Sequence, residues 1–165
     1  MSSTENEHIW QQLEPATPFY TAQTQKGWQN HAIHLLGFCY DGSTSFRPGS
    51  RFGPNAIRES SFGIESYSPY LVKDLEDLVI NDLGNLPFYP SRVEKTFSFF
   101  EVLTEKLDLK KQEIKIITLG GEHSISYAPI KLYLQQYPEL LVIHLDAHAD
   151  LRDGYLEDPH SHASI

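Results

Sequence analysis

Two short stretches of the chain are rich in residue types that bind metal ions. Asp146-Ala147-His148-Ala149-Asp150 places a carboxylate, an imidazole and a second carboxylate two residues apart. On an extended backbone, residues two apart point to the same side, so these three side chains can face one point. In Gly120-Gly121-Glu122-His123-Ser124, two glycines precede His123 and allow the backbone to turn sharply and approach a site closely.

The mix of ligand types indicates which metal would bind. Carboxylates with a minority of imidazoles and no thiolate favour Mn²⁺ or Mg²⁺ over a structural zinc site, and two histidines favour Mn²⁺. Two cations a few ångströms apart lower the pKa of a shared water, which implies hydrolysis. Each motif alone is also compatible with an exposed polar loop or a structural turn. Together, at neighbouring strand ends, they predict a site.

Three further histidines have alternative interpretations. His144 lies on the same side as Asp146, where a hydrogen-bonded core histidine is favoured over a contact with a metal ligand. His160 and His162 lie on a later polar loop. One of them could act as acid, base or proton shuttle, and the spacing does not say which. Cys39, at the end of an apolar run, is predicted to be an inert packing residue.

The elements that would position these residues alternate between strand and helix. Four apolar runs predict buried strands at 33–38, 78–83, 114–119 and 140–145, the second of them stopped by Gly84. Helices are predicted from Pro54 to near Gly63, from the capping box at Ser91, and around Pro129 to about Tyr137. This alternation predicts an α/β fold, with a parallel sheet between two helical layers.

The same pattern places the chemistry and the core. Ligand sites in parallel sheets lie at the carboxyl ends of strands, here in loops 40–53, 120–124 and 146–162. In the first loop, Asp41, Arg47 and Arg51 are interpreted as structural hydrogen-bonding residues. The second helix should bury one apolar face, formed by Val93, Phe97, Phe100, Leu103 and Leu107.

The first 30 residues have no clear periodicity and are interpreted as an N-terminal arm, with residues 31–165 forming part of one α/β domain. Four aromatic residues of the arm could dock on that body: Trp10, Phe19, Tyr20 and Trp28.

Composition excludes several classes of function. The 165 residues include 13 Lys and Arg against 22 Asp and Glu, a formal net charge of −9. Nucleic-acid and anionic-membrane binders use basic clusters that this sequence lacks, so a small cationic ligand is favoured. One cysteine forms no internal disulfide, and neither a signal peptide nor a membrane-spanning run is present. A cytoplasmic location is therefore expected.

Three stretches resemble the ureohydrolases, the arginase and agmatinase family. LGGEHS at 119–124 and VIHLDAHAD at 142–150 are similar to the family's first two metal motifs. YDGSTSFRPGSRFGPNAIR at 40–58, followed by YSPYL at 67–71, resembles the agmatinase branch more than the arginases. The likeness covers nearly the whole chain after residue 30.

The resemblance implies a role for individual residues. His123 and Asp150 would serve one Mn²⁺, His148 the other, and Asp146 would bridge both. In the later loop, the resemblance points to His162, rather than His160, as the active-site histidine that aids proton transfer or orients the substrate.

The implied reaction is hydrolysis of a small cationic guanidino compound, agmatine, to putrescine and urea, as in polyamine biosynthesis. A guanidinobutyrase, formiminoglutamase or arginase is the alternative. Members of the family are commonly trimers or hexamers, so a homo-oligomer is expected of the full-length protein.

The resemblance also implies an incomplete fold. Family chains are nearly twice as long and bring a further Asp-x-Asp metal motif, so only four of six expected protein ligands occur before Ile165. We therefore expect an N-terminal half whose sheet is incomplete at its C-terminal end. For the 165 residues by themselves, a catalytically inactive fragment is the alternative to an active enzyme.

Overall fold

A three-stranded parallel sheet is the centre of the computed structural model, which describes residues 8–90, 92–154 and 160–165. The strands of the chain are β1 (Ile33–Phe38), β2 (Tyr67–Ser68), β3 (Lys73–Asp74), β4 (Ile80–Asn85) and β5 (Lys115–Gly120). The sheet order is β4-β1-β5, while β2 and β3 form a separate antiparallel hairpin. The predicted parallel sheet is therefore confirmed, with β1 at its centre.

Helices follow the strands as the sequence predicts. They are α1 (Gly53–Ser61), α2 (Val93–Thr104), α3 (Leu109–Gln112) and α4 (Tyr127–Gln136), and 3-10 turns form at Ser50–Phe52, Leu75–Asp77 and His123–Ser126. The proline expected to start α1 occupies its first turn. The capping box before α2 depends on Ser91, which lies outside the described residues. No described helix is long and apolar enough to cross a membrane.

The core lies between the sheet and the helices α2 and α4. The five residues predicted for the buried face of α2 are all buried, although Leu107 lies beyond the end of the helix. Phe100 packs against Phe38 of β1, with ring centroids 5.4 Å apart. An apolar stripe along α2 therefore fixes that helix on the sheet, as expected for a helix that buries one face.

The N-terminal arm covers the outer edge of β4. Backbone hydrogen bonds join Glu14 to Asn85 in both directions, at 2.8 and 2.9 Å, and Gln23 accepts from the backbone N–H of Asp82 at 2.7 Å. Trp10 and Trp28 pack edge to face at 5.5 Å against the core. The arm thus pairs the edge strand, which would otherwise present free backbone groups.

The predicted stop at Gly84 is wrong, because β4 continues to Asn85. Gly84 has φ +83, and a Cβ atom there would collide with the backbone carbonyl oxygen of Glu14. The glycine therefore admits the arm to the strand edge instead of ending the strand.

The fourth predicted strand, at 140–145, is also wrong. These residues pair with none of the described strands, and Leu141 and Leu145 are 82% and 92% exposed. An apolar strand of a parallel sheet is stable where both of its faces are covered. Here the described chain leaves the side chains of this segment in solvent, so hydrophobic character alone does not add it to the sheet.

Candidate metal centre

The carboxyl ends of β1 and β5 are joined by two backbone hydrogen bonds. The N–H of Gly121 donates to the Phe38 carbonyl at 3.0 Å, and the N–H of Glu122 donates to the Tyr40 carbonyl at 2.8 Å. A Cβ atom on Gly121 would overlap the Tyr40 carbonyl oxygen. The close approach that the sequence predicts for the two glycines is therefore real, and at Gly121 it requires the absence of a side chain.

Four side chains come together beyond the end of β5. His123, His144, Asp146 and Asp150 each offer one ligand atom, and these atoms lie within 4.8 Å of one another. His123 Nδ1 lies 2.8 Å from Asp150 Oδ2. His144 Nε2 lies 4.0 Å from a carboxylate oxygen of each aspartate. We call these four residues the donor group.

His148 does not join the donor group. Its side chain is 80% exposed, and its Nδ1 lies 3.2 Å from Asp146 Oδ1, the oxygen that also accepts from the His148 backbone N–H at 2.9 Å. That backbone hydrogen bond is the main reason why the pKa of Asp146 is lowered. The backbone bends at 146–148 and Asp150 has φ +51, so the alternation of an extended strand does not hold here.

His144 is not the buried core histidine that the sequence favoured. It is exposed and lies beside His123, with ring centroids 5.0 Å apart. The sequence feature that indicated this position was the two-residue spacing between His144 and Asp146. That spacing supported a contact with a metal ligand, the less favoured of the two interpretations.

The donors suit a divalent cation. Two ligands at right angles on one cation, each about 2.1 Å from it, lie about 3 Å apart. Within the donor group, the pair His123–Asp150 has this separation, at 2.8 Å. Asp146 has a similar separation, 3.2 Å, from His148, which lies outside the group. Two imidazoles with two carboxylates match the donors that Mn²⁺ accepts. Burial raises the pKa of the Cys39 thiol, which agrees with the packing role predicted for it.

A cavity of about 510 Å³ opens beside the donor group. It is lined by His123, His144 and Asp150 together with less polar residues such as Thr118 and Ile165. Small-molecule sites fall in this range of volume.

The two later histidines have different surroundings. The ring of His160 packs against Phe97 and Tyr127, at centroid distances of 5.6 and 5.2 Å. His162 instead contacts the loop after β1, where its Nδ1 lies 2.9 Å from the Ser43 carbonyl oxygen. The segment that carries both is tied to the donor group, since the Ile165 backbone N–H donates to the Asp150 carbonyl at 2.9 Å.

Two residues of the loop after β1, Asp41 and Arg51, have the structural role predicted for them. Asp41 is buried, accepts from the Gly49 N–H at 2.6 Å, and pairs with the Arg51 guanidinium at 2.6 Å. Burial raises the pKa of Asp41, but Arg51 and the backbone donors outweigh it and hold the pKa below its usual range. Arg47 is exposed, with its guanidinium 5.2 Å from the centroid of the Phe46 ring.

The sequence interpretation missed Glu122 and Ser43. Glu122 is buried, and its carboxylate accepts from the Ser43 N–H at 3.0 Å, from the Ser43 hydroxyl and from the Ser124 hydroxyl at 2.7 Å. The sequence feature that could have indicated Glu122 is its position between the two glycines and the candidate ligand His123.

Comparison with known proteins relates this chain to one protein family. A model of the arginase family matches residues 31–165. The agmatinase of Bacillus subtilis is 41% identical over 137 residues, which is 83% of this chain and 47% of that protein. The agmatinase of Halalkalibacterium halodurans is 42% identical over 141 residues, 86% of this chain and 48% of that protein.

A solved structure is also similar to this chain. Proclavaminate amidino hydrolase from Streptomyces clavuligerus superposes with a TM-score of 0.78 at 26% identity, over 93% of this chain and 50% of that one. The chain spans about half the length of the curated relatives it matches.

Proposed function

The chain belongs to the arginase family, and on that premise we propose that the protein is a Mn²⁺-dependent ureohydrolase that converts agmatine to putrescine and urea. The observation that carries the proposal is the convergence of the donor group at the carboxyl end of β5. Similarity to agmatinases at about 40% identity supports agmatine as the substrate. The acidic balance of the chain suits a dication.

Each of the five site residues that the sequence predicted then has a part in the reaction. His123 and Asp150 would hold one Mn²⁺, His148 would hold a second, and Asp146 would lie between them. The cations would supply Lewis acidity toward water and the guanidinium group. His162 would hold or move the proton that the departing amine requires.

The test is urea release from the complete gene product that contains these 165 residues, loaded with Mn²⁺. Agmatine, arginine, guanidinobutyrate and formiminoglutamate are offered in parallel, and agmatine is expected to have the highest kcat/KM. His123→Ala and Asp150→Asn should abolish turnover, whereas Asp153→Asn, at an exposed neighbouring carboxylate, should preserve it. Absence of urea from all four compounds would overturn the proposal.

A second candidate is another ureohydrolase with the same chemistry. The structural similarity to proclavaminate amidino hydrolase, which is named for proclavaminate and not for agmatine, supports this second candidate. A clear preference for one of the other three amidines would select it.

For the 165-residue chain alone, we infer weak Mn²⁺ binding and no detectable urea release. The exposed apolar segment at 140–145 supports this inference, because the metal-ligand motif follows a segment that the sheet does not hold. Robust turnover by the isolated chain would refute it.

A further inference from the structure

Building on the proposed function, we propose that Ser43 and Glu122 are positioning residues for His162. They hold its imidazole as the Nδ1–H tautomer, so that Nε2 is the proton-accepting atom of the neutral ring. Neither residue binds the metal in the proposed site, and neither was singled out by the motifs.

The tautomer follows from the partner of Nδ1. The Ser43 carbonyl oxygen lies 2.9 Å from His162 Nδ1, and a carbonyl oxygen only accepts hydrogen bonds, so Nδ1 must carry the hydrogen. A neutral imidazole has one donor nitrogen and one acceptor nitrogen, which makes Nε2 the acceptor. The backbone N–H of His162 also donates to the Ser43 hydroxyl at 3.2 Å. Ser43 therefore fixes both the main chain and the ring of this histidine.

Ser43 is in turn fixed by Glu122. The carboxylate accepts both the N–H and the hydroxyl of Ser43, and its third donor is the buried hydroxyl of Ser124. Glu122 is only 6% exposed, so these hydrogen bonds are shielded from water. Its backbone is anchored as well, through the bond to the Tyr40 carbonyl.

The chain Glu122–Ser43–His162 thus connects the residue next to His123 with the proposed acid-base histidine. His123 directly follows Glu122 in the turn after β5, and that turn reaches His162 through Ser43. A proton-transfer group contributes only when the correct atom faces the reacting group, so fixing the tautomer in advance raises kcat. If Glu122 only stabilised the loop that carries Ser43, removing its carboxylate would lower the stability of the fold but leave the tautomer of His162 unchanged.

The first test is NMR of ¹⁵N-histidine-labelled protein, which reports the tautomer of His162 without requiring turnover. The wild-type protein should show His162 as Nδ1–H. Ser43→Ala keeps the backbone carbonyl but removes the hydroxyl that links this loop to Glu122 and to the His162 N–H. Glu122→Gln replaces one carboxylate oxygen with an NH2 group, which then faces either the Ser43 N–H or the hydroxyls of Ser43 and Ser124. Both variants should shift His162 toward the Nε2–H form. Ser43→Thr, which keeps the hydroxyl, and Ser45→Ala, at an exposed serine of the same loop, should resemble the wild type.

The second test is steady-state kinetics of the Mn²⁺-loaded complete gene product. Ser43→Ala and Glu122→Gln should lower kcat at least tenfold with KM within about twofold, and bound Mn²⁺ should be unchanged in Ser43→Ala. Because Glu122 adjoins His123, Ser43→Ala decides the outcome if Glu122→Gln loses metal.

Either of two results would overturn the proposal: an Nε2–H tautomer in the wild type, or a wild-type tautomer and kcat in Ser43→Ala. Failure of the proposed function would be recognised separately. It would leave the NMR result intact while no amidine released urea.

Discussion

Arg58 and Asp82 form a bidentate ion pair from which solvent is excluded. Arg58 Nε lies 2.8 Å from Asp82 Oδ2, Nη2 lies 2.9 Å from Oδ1, and both side chains are at most 1% exposed. The remaining guanidinium donors reach the Asn85 side chain at 2.7 Å and the Gly84 carbonyl at 2.9 Å. The carboxylate also accepts the backbone N–H of Phe19. This pair therefore connects α1, β4 and the N-terminal arm.

Removing one partner of this pair should strongly destabilise the fold. Arg58→Met leaves the Asp82 carboxylate buried without its cation, and breaking a buried pair in this way costs about 3–5 kcal/mol. Denaturant unfolding, followed by circular dichroism, measures the loss. The matched control is Lys131→Met, which breaks the exposed pair with Glu101 at 2.7 Å and should leave the unfolding midpoint unchanged. A loss below about 1 kcal/mol in Arg58→Met would contradict the prediction.

Gly121→Ala should disrupt the joint between β1 and β5. The new methyl group would overlap the Tyr40 carbonyl, so the turn must move and strain its two backbone hydrogen bonds. Overpacking of this kind costs about 1–3 kcal/mol, and Mn²⁺ affinity should fall with it, since His123 follows the turn. Thermal unfolding and Mn²⁺ titration check both effects. Gly63→Ala is the control, because its Cβ would meet only the Ser60 carbonyl at 3.5 Å. Equal stability of the two variants would refute the argument.

His34 should make the fold less stable in acid. This residue of β1 is fully buried, accepts the Gln29 N–H at 2.9 Å and stacks edge to face on Trp28; burial lowers its pKa from 6.5 to about 4. The unfolded chain binds this proton near pH 6.5 and the folded chain only near pH 4. Stability therefore falls as the pH drops between these values, by about 3 kcal/mol in all.

The measurement is the free energy of unfolding from pH 7 to pH 4 for the wild type and His34→Gln. The neutral variant should lose less stability over this range, even if it starts lower. His8→Gln, at an exposed histidine, should retain the wild-type slope. Parallel curves for the wild type and His34→Gln would show that His34 is not responsible.

His148 and His144 can be separated by Mn²⁺ titration. His148 has the 3.2 Å spacing to Asp146 of two ligands on one cation, whereas His144 lies 4.0 Å from its two carboxylate neighbours. We expect His148→Ala to weaken Mn²⁺ binding at least about tenfold and His144→Ala to weaken it less. Isothermal titration calorimetry of the complete gene product measures both. The reverse order would make His144 the ligand in place of His148.

Local patterns predicted those elements whose stabilising contacts are close in sequence. The apolar stripe of α2 and the proline at the start of α1 were visible in the residues, because helix periodicity and capping are local. The apolar run at 140–145 misled the interpretation, since periodicity measures the tendency to be buried and not the presence of a covering surface. The extension of β4 past Gly84 depended on the arm, more than 60 residues away along the chain.

The residue types and their order were enough to predict the chemistry of the candidate site: carboxylates and imidazoles near two glycines, in an order that resembles the arginase family. It also predicted that His123 would follow the carboxyl end of a strand of the parallel sheet, as it does after β5. Which donors meet depends on the folded backbone. It bends at 146–148, where the pattern assumed an extended strand, and this places His144 in the donor group and His148 outside it. The connection from Glu122 through Ser43 to His162 is visible only in the folded chain. Ser43 is 79 positions from Glu122 and 119 positions from His162, and hydrogen bonds over such separations have no local sequence signal.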